Sequence, residues 1–334
     1  MKNNCSPESI ARSIREYEGV TRKHAIGRMI ESLNIESPDI AASFGEDAAV
    51  IRNDDTALLL AADGIWSKLM EADPFWSGYC AVLVNIHDIA AMGGRPMAMV
   101  DILSVSNKEI CEEVTRGLVT ASRQFNVPIV GGHIHPESTY NVIDVAILGV
   151  AEMDDLIYSH TAMPGDQVIA AIDLDGRIHP SCALNWDSVT MKTPEMVRRQ
   201  IGLMQELGRK KMATACKDIS NPGVIGTLGM LLEVSRAGAT IELDDIPRPD
   251  LKKIGISFEQ WVRMYPGMGF VLTAKEENAD EICKMFEGVG MTASRIGKVE
   301  NGSSLVARHN GTESTVFDLE TEGIMRLPPS CCIK

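Results

Sequence analysis

Four acidic spots recur at the ends of apolar runs, and carboxylates so placed can converge on one crevice. Glu46 and Asp47 precede a strand-like run in FGEDAAVI, and Asp63 follows another in LLLAADGI. Asp88 lies inside LVNIHDIAAMGG, and Asp218 precedes a glycine-containing helix start in KDISNPGVIG. Oxygen donors of this kind suit Mg²⁺, which combines carboxylates with waters and substrate phosphates. Taken singly, an Asp before a strand or helix is usually a cap or turn residue. Asp88 differs, because Ile86, Ile89, Ala90 and Met92 surround it and an unpaired buried carboxylate is costly. Asn85, three residues earlier, shares its helix face.

Two glycine features suit phosphate. Gly131-Gly132 follows Val-Pro-Ile-Val, where backbone N–H groups can approach an anion. Asn221-Pro222-Gly223 opens a helix, whose first N–H groups are free and whose dipole is positive. No GxxxxGK[ST] occurs, which excludes an ordinary P-loop, and no GxGxxG follows a strand. His133-x-His135-x-Glu137 sets two imidazoles on one face of an extended segment. They could serve acid–base chemistry, or supply two of the ligands of a zinc hydrolase.

Positioning these residues takes a sizeable scaffold. The chain has 334 residues, 45% of them hydrophobic and 23% charged, which fits about two globular domains. Its 32 basic and 46 acidic residues leave a net charge of −14, arguing against nucleic acid as a partner. A phosphorylated substrate stays open, since a cation can bridge it to carboxylates. The first ten residues lack an apolar signal core, and the stretch 81–103 is broken by Asn85, His87, Asp88 and Arg95, so no membrane span is expected. Eight scattered cysteines without a CxxC pair fit free thiols in a reducing cytoplasm.

Periodicity predicts a helix from Ser6-Pro7 to Gly19, another over 24–33, and a hairpin of 48–51 with 56–62. A buried helix over 75–92 closes at Gly93-Gly94. Strand 97–105, helix 108–125, a short strand 127–130 and strand 141–152 follow. After a polar break at 154–165, the pattern predicts strand 167–172, a helix from Pro194 to Cys216, and a helix over 223–237. Strand 269–273, helix 276–286 and strands over 292–299 and 304–308 come last. The expected class is mixed α/β. The expected organisation is an N-terminal helical segment (1–40), an α/β domain (41–153), a second α/β domain (164–310) and a tail (311–334).

The ordered motifs FGEDAAVI, LLLAADG, VNIHDIAAMGGRPMAMVDI, VPIVGG, PGDQVIAAIDLDG, KDISNPGVIGTLGMLLEVS and GMGFVLTA resemble the aminoimidazole ribonucleotide synthetase superfamily. Thiamine monophosphate kinase, selenophosphate synthetase and the carbamoyl-dehydrating hydrogenase maturation protein belong to it. The run SIREYEGVTRKHAIG is similar to an archaeal subgroup called methanogenesis marker protein 2. The resemblance implies an ATP- and Mg²⁺-dependent homodimer paired through its N-terminal sheets, with the nucleotide in the cleft between domains and subunits. By position, Asp47, Asp63, Asp88 and Asp218 match the metal–phosphate carboxylates. Asn85, Gly93, Gly94, Gly131 and Gly132 match phosphate-side positions, and His133 and Asp218 are the catalytic candidates. His133 and Asn221 stand where the family carries acidic residues.

The reaction so implied is phosphoryl transfer from ATP to an oxygen of a small substrate. One alternative is an ATP-dependent dehydratase using the tail cysteines Cys331 and Cys332. Another is a nucleotide-binding subunit without catalysis.

Overall fold

The structure is a computed structural model that describes residues 6–33, 37–265 and 267–328. Cys331 and Cys332 lie outside the described residues. The chain opens with α1 (Pro7–Arg15), α2 (Glu18–Thr21), a 3₁₀ turn (Arg22–Ala25) and α3 (Ile26–Leu33). Ser6 caps α1 by accepting the Ser9 N–H, and Pro7 occupies its first turn.

The first sheet comprises β1 (Ile40–Ala42), β2 (Ala49–Asn53), β3 (Thr56–Ile65), β4 (Arg95–Ser104), β5 (Ile129–His135) and β6 (Val142–Glu152). Its order is β1-β2-β3-β6-β4-β5, antiparallel except for the parallel pair β4–β5. Helices α4 (Ser67–Ala72), α5 (Pro74–Ala91) and α6 (Lys108–Phe125) accompany it. Asp73 caps α5, and from Trp76 to Ala91 all of its residues except Val84 are buried. A helix apolar all round belongs inside a protein, and α5 packs against the first sheet, α6, and the second domain.

The second domain contains β7 (Gln167–Ile172), β8 (Arg177–His179), β9 (Cys182–Asp187), β10 (Ala213–Asp218), β11 (Gly238–Glu242), β12 (Gly269–Ala274), β13 (Thr292–Glu300), β14 (Ser304–His309) and β15 (Thr312–Asp318). Seven of these strands form a sheet in the order β10-β12-β7-β13-β11-β14-β15, and β8–β9 is a separate hairpin. The helices are α7 (Pro194–Arg209), α8 (Gly223–Ser235), α9 (Leu251–Ile254), α10 (Phe258–Trp261) and α11 (Glu276–Gly288). Alternate residues of β7 feed two cores. Ile169 and Ala171 join the core shared with α5, α7 and α11, whereas Val168 and Ala170 join that of α1 and α8. The mixed α/β class and the two tandem domains are as expected.

Several boundaries differ from the sequence pattern, among them the helix predicted to Gly19, which ends at Arg15 and is followed by the separate α2. The helix predicted through Cys216 stops at Arg209, because Lys211 turns to φ 54° and the following residues pair as β10 with β12. The short strand predicted to end at Val130 runs to His135, with Gly131 and Gly132 inside it. The segment placed in the tail continues as β15, because residues 312–318 extend the sheet edge beside β14.

Candidate functional site

Strand β10 is the edge of the second sheet, and α5 packs against it. That contact brings Asp88 to Asp218. Asp47, in the turn before β2, completes the group. One carboxylate oxygen from each of Asp47, Asp88 and Asp218 lies within 4.8 Å of the others, the only such set of metal-donor side chains among the described residues. Asp63 extends the inward row Ala57, Leu59 and Ala61 of β3 and lines the same cleft.

Burial pushes the carboxyls of Asp88 and Asp218 well above the usual carboxylate range, and the neighbouring carboxylates push the same way. Asp47 is raised by burial against the opposing pull of Lys217. Its Oδ2 is buried without a partner, while Oδ1 accepts from Lys217 Nζ at 2.5 Å. Lys217 is 2% exposed. Burial would lower its ammonium, but Asp47 and Glu46 outweigh that and hold it above its ordinary value.

Lys217 escaped the sequence reading because it directly follows the stretch to Cys216 that the pattern predicts as a helix. No local signal marks it, because only the pairing with β12 shows that 213–218 is a strand. Glu46 does not join the acidic group. Its carboxylate accepts the Ser159 N–H at 2.6 Å and meets His160 Nδ1 at 2.5 Å, fastening the first domain to the interdomain segment.

The group lies in a cleft of about 1250 Å³ lined by both domains and by the N-terminal segment. Arg22 and Lys23 border it from above, Trp66 and Lys68 from the start of α4, and Ser181 to Asn185 from the β8–β9 hairpin. His87 also borders it. Its ring packs 5.6 Å from that of Phe270, and burial pushes its pKa down to about 3, so it stays neutral.

The other candidates sit elsewhere. Asn85 is buried one turn before Asp88; its amide donates to Ala81 O and its Oδ1 is unpartnered. Gly93 and Gly94 end α5 against Ile157, Leu59 and Ile89, away from the cleft lining. Gly131 and Gly132 lie in edge strand β5, where a Cβ on Gly132 would stand 2.4 Å from Asp101 Oδ1. Register sets His133 beside Ile102, on the sheet face opposite Asp63 and three strands away, about 14 Å.

His133 and His135 rings stand 4.6 Å apart edge to face, without a third metal donor among the described residues. The zinc reading therefore has no complete site there. The N–H groups opening α8 are also engaged, Gly223 with Ser220 O and Val224 with Val262 O, so that turn is not the free anion cradle expected.

What these residues can do is hold a divalent cation. Four carboxylates face one buried ammonium, and an inward carboxylate oxygen lacks any donor. An all-oxygen set of this kind fits Mg²⁺ rather than a thiophilic metal. Among the described residues no helix is long and apolar enough to cross a membrane, and Cys80, Cys111, Cys182, Cys216 and Cys283 are free.

Comparison with known proteins identifies this architecture. Protein MJ0640 of Methanocaldococcus jannaschii, itself uncharacterized, is 48% identical over 322 residues, covering 95% of this chain and 98% of that one. The thiamine-monophosphate kinase of Pyrococcus abyssi is 28% identical over 275 residues, 79% of this chain and 84% of that one. The structure of Thermotoga maritima PurL complexed with ATP superposes with a TM-score of 0.74 at 17% identity, over 96% of this chain. This chain spans about half of that PurL chain, 52% of its length. Residues 45–152 match the AIR synthase related protein N-terminal domain and residues 162–310 its C-terminal domain. With both domains matched in order and the acidic corner at their junction, the chain belongs to the AIR synthase related family.

Proposed function

We propose that this chain binds Mg²⁺ and ATP in the interdomain cleft and transfers phosphate to an oxygen of a small substrate. The observation that carries this is the convergence of Asp47, Asp88 and Asp218, with Asp47 Oδ2 buried and unpartnered. When bound, Mg²⁺ would neutralise triphosphate charge and let the phosphates rest against a carboxylate wall. Asp88 and Asp218 are the principal ligands, fixed by α5 and β10. Lys217 holds Asp47 Oδ1 and so aims Oδ2 into the cleft. Asp63 faces the phosphate chain from β3. A relative named as a thiamine-monophosphate kinase and a structural neighbour, PurL, solved with ATP support the reading.

Isothermal titration calorimetry tests it directly. ATP should bind with Mg²⁺ present and bind far more weakly with EDTA. Absence of any Mg²⁺-dependent heat overturns the proposal. ATP binding without turnover on a panel of carboxylate, amide and phosphate acceptors would favour the non-catalytic alternative.

We also propose that the chain pairs as a homodimer through the outer face of its first sheet. Leu60, Val100 and Ile102 are 46%, 45% and 52% exposed on that face, an apolar surface left open by the described residues. His133 would then belong to the pairing face rather than to the acidic corner of its own chain. Analytical ultracentrifugation of Ile102→Glu should show monomer where the native chain shows dimer.

A further inference from the structure

The residues before position 45 fall outside both family domains, yet the N-terminal segment forms the cleft roof. It is anchored on the second domain. Arg15 donates to the carbonyls of Thr315 and Val316, and Gly27 N–H to Met325 O. From this anchor Arg22 crosses to the first domain, its guanidinium 4.4 Å above the Trp66 ring. Lys68 Nζ stands 6.0 Å from the same ring. Among the described residues, Arg22, Lys23 and Lys68 form no ion pair with a carboxylate. Arg22 and Lys23 nevertheless act electrostatically on Asp63, and Lys23 on Asp218 as well, so the roof lies within reach of the acidic corner.

In a chain of net charge −14, three cations that form no ion pair among the described residues and gather at one cleft mouth offer positive charge to an entering anion. Across the cleft, Asp47, Asp88 and Asp218 draw together with one another instead of closing on these cations. Guanidinium on an indole face remains charged and keeps its N–H edge free to donate. A tetrahedral phosphate matches that edge together with two ammonium groups.

We propose that Arg22, Lys23 and Lys68 form a phosphoanion subsite at the roof, which receives an anionic group of the acceptor substrate beside the nucleotide. This rests on the ATP reading for its position and narrows the acceptor to molecules bearing phosphate. The same chemistry could come from the triphosphate itself, and the experiment separates the two sources.

The intact chain is first saturated with Mg²⁺ and AMPPCP, then titrated with inorganic phosphate in a calorimeter, alongside Arg22→Gln, Lys23→Gln and Lys68→Gln. The native chain should take phosphate on top of the analogue. Each substitution should weaken phosphate about tenfold while leaving AMPPCP affinity within about twofold. Phosphate that competes with AMPPCP, together with variants that weaken AMPPCP itself, supports the subsite and assigns it to the triphosphate. Unchanged phosphate and analogue binding in all three variants overturns the subsite. If the native chain binds phosphate but no AMPPCP, and the variants lose phosphate, the nucleotide reading fails while the subsite stands. Lys68 is exposed on α4, so its variant reports charge even if Arg22→Gln loosens the roof.

Discussion

The floor and the roof of the cleft carry charge in opposite ways. On the floor, Asp88, Asp218 and Lys217 are buried, set on α5 and β10, and held by residues of both family domains. On the roof, Arg22 and Lys68 are exposed and supported by one indole ring. Buried charges interact strongly and tolerate no missing partner, whereas exposed ones are screened and replaceable. Substitutions on the floor should therefore cost more in stability than substitutions on the roof.

The contrast can be broken in graded steps. The largest effect should come from Asp88→Asn or Asp218→Asn, which removes a ligand from the acidic corner. Either change should weaken Mg²⁺-dependent ATP binding about a hundredfold, read by calorimetry. Near-native affinity in both would remove the floor from the nucleotide site. Lys217→Met comes next. It leaves Asp47 buried among carboxylates without its counter-charge, and should cost about 3–5 kcal/mol in urea unfolding. Added Mg²⁺ should restore part of that loss, because the cation supplies the missing positive charge.

A smaller effect follows from pH. The carboxyls of Asp88 and Asp218 are raised by burial, so the folded chain binds protons there more tightly than the unfolded one. Their contribution to stability is complete below the ordinary carboxylate range and is lost as pH rises through the raised values. Metal-free protein should thus melt at lower temperature near about pH 8 than near about pH 5. Mg²⁺ should raise the melting temperature more at the higher pH. A metal-free melting temperature that climbs over that interval would contradict the burial argument. The roof substitutions, with their roughly tenfold changes, come last.

Much of the floor was legible in the sequence. A carboxylate inside an apolar helix announces itself, and Asp88 sits where α5 is buried on every side. The domain pattern was equally plain from alternating strands and helices. Lys217 was not legible, since Thr-Ala-Cys after a helical run shows its strand character only through pairing with β12. The glycines of β5 fell beyond the expected strand 127–130 because nothing local shows how closely Asp101 approaches Gly132. His133 was credited by motif position, and the register of β4 with β5 sets it on the face away from Asp63. The run SIREYEGVTRKHAIG contains Arg22 and Lys23, but nothing in it shows that they come to the cleft beside Trp66. Its cations gain meaning only when residues 22 and 66 meet across two domains.

Two absent side chains seat that roof. A Cβ on Gly19 would fall 2.3 Å from Asn221 Oδ1, and one on Gly27 would fall 1.9 Å from Arg326 O. Each methyl group would act as a shim, prising the N-terminal segment off the second domain without altering any charge. Gly19→Ala thus works as a mechanical lever, lifting Arg22 from Trp66 while leaving every ion of the floor in place.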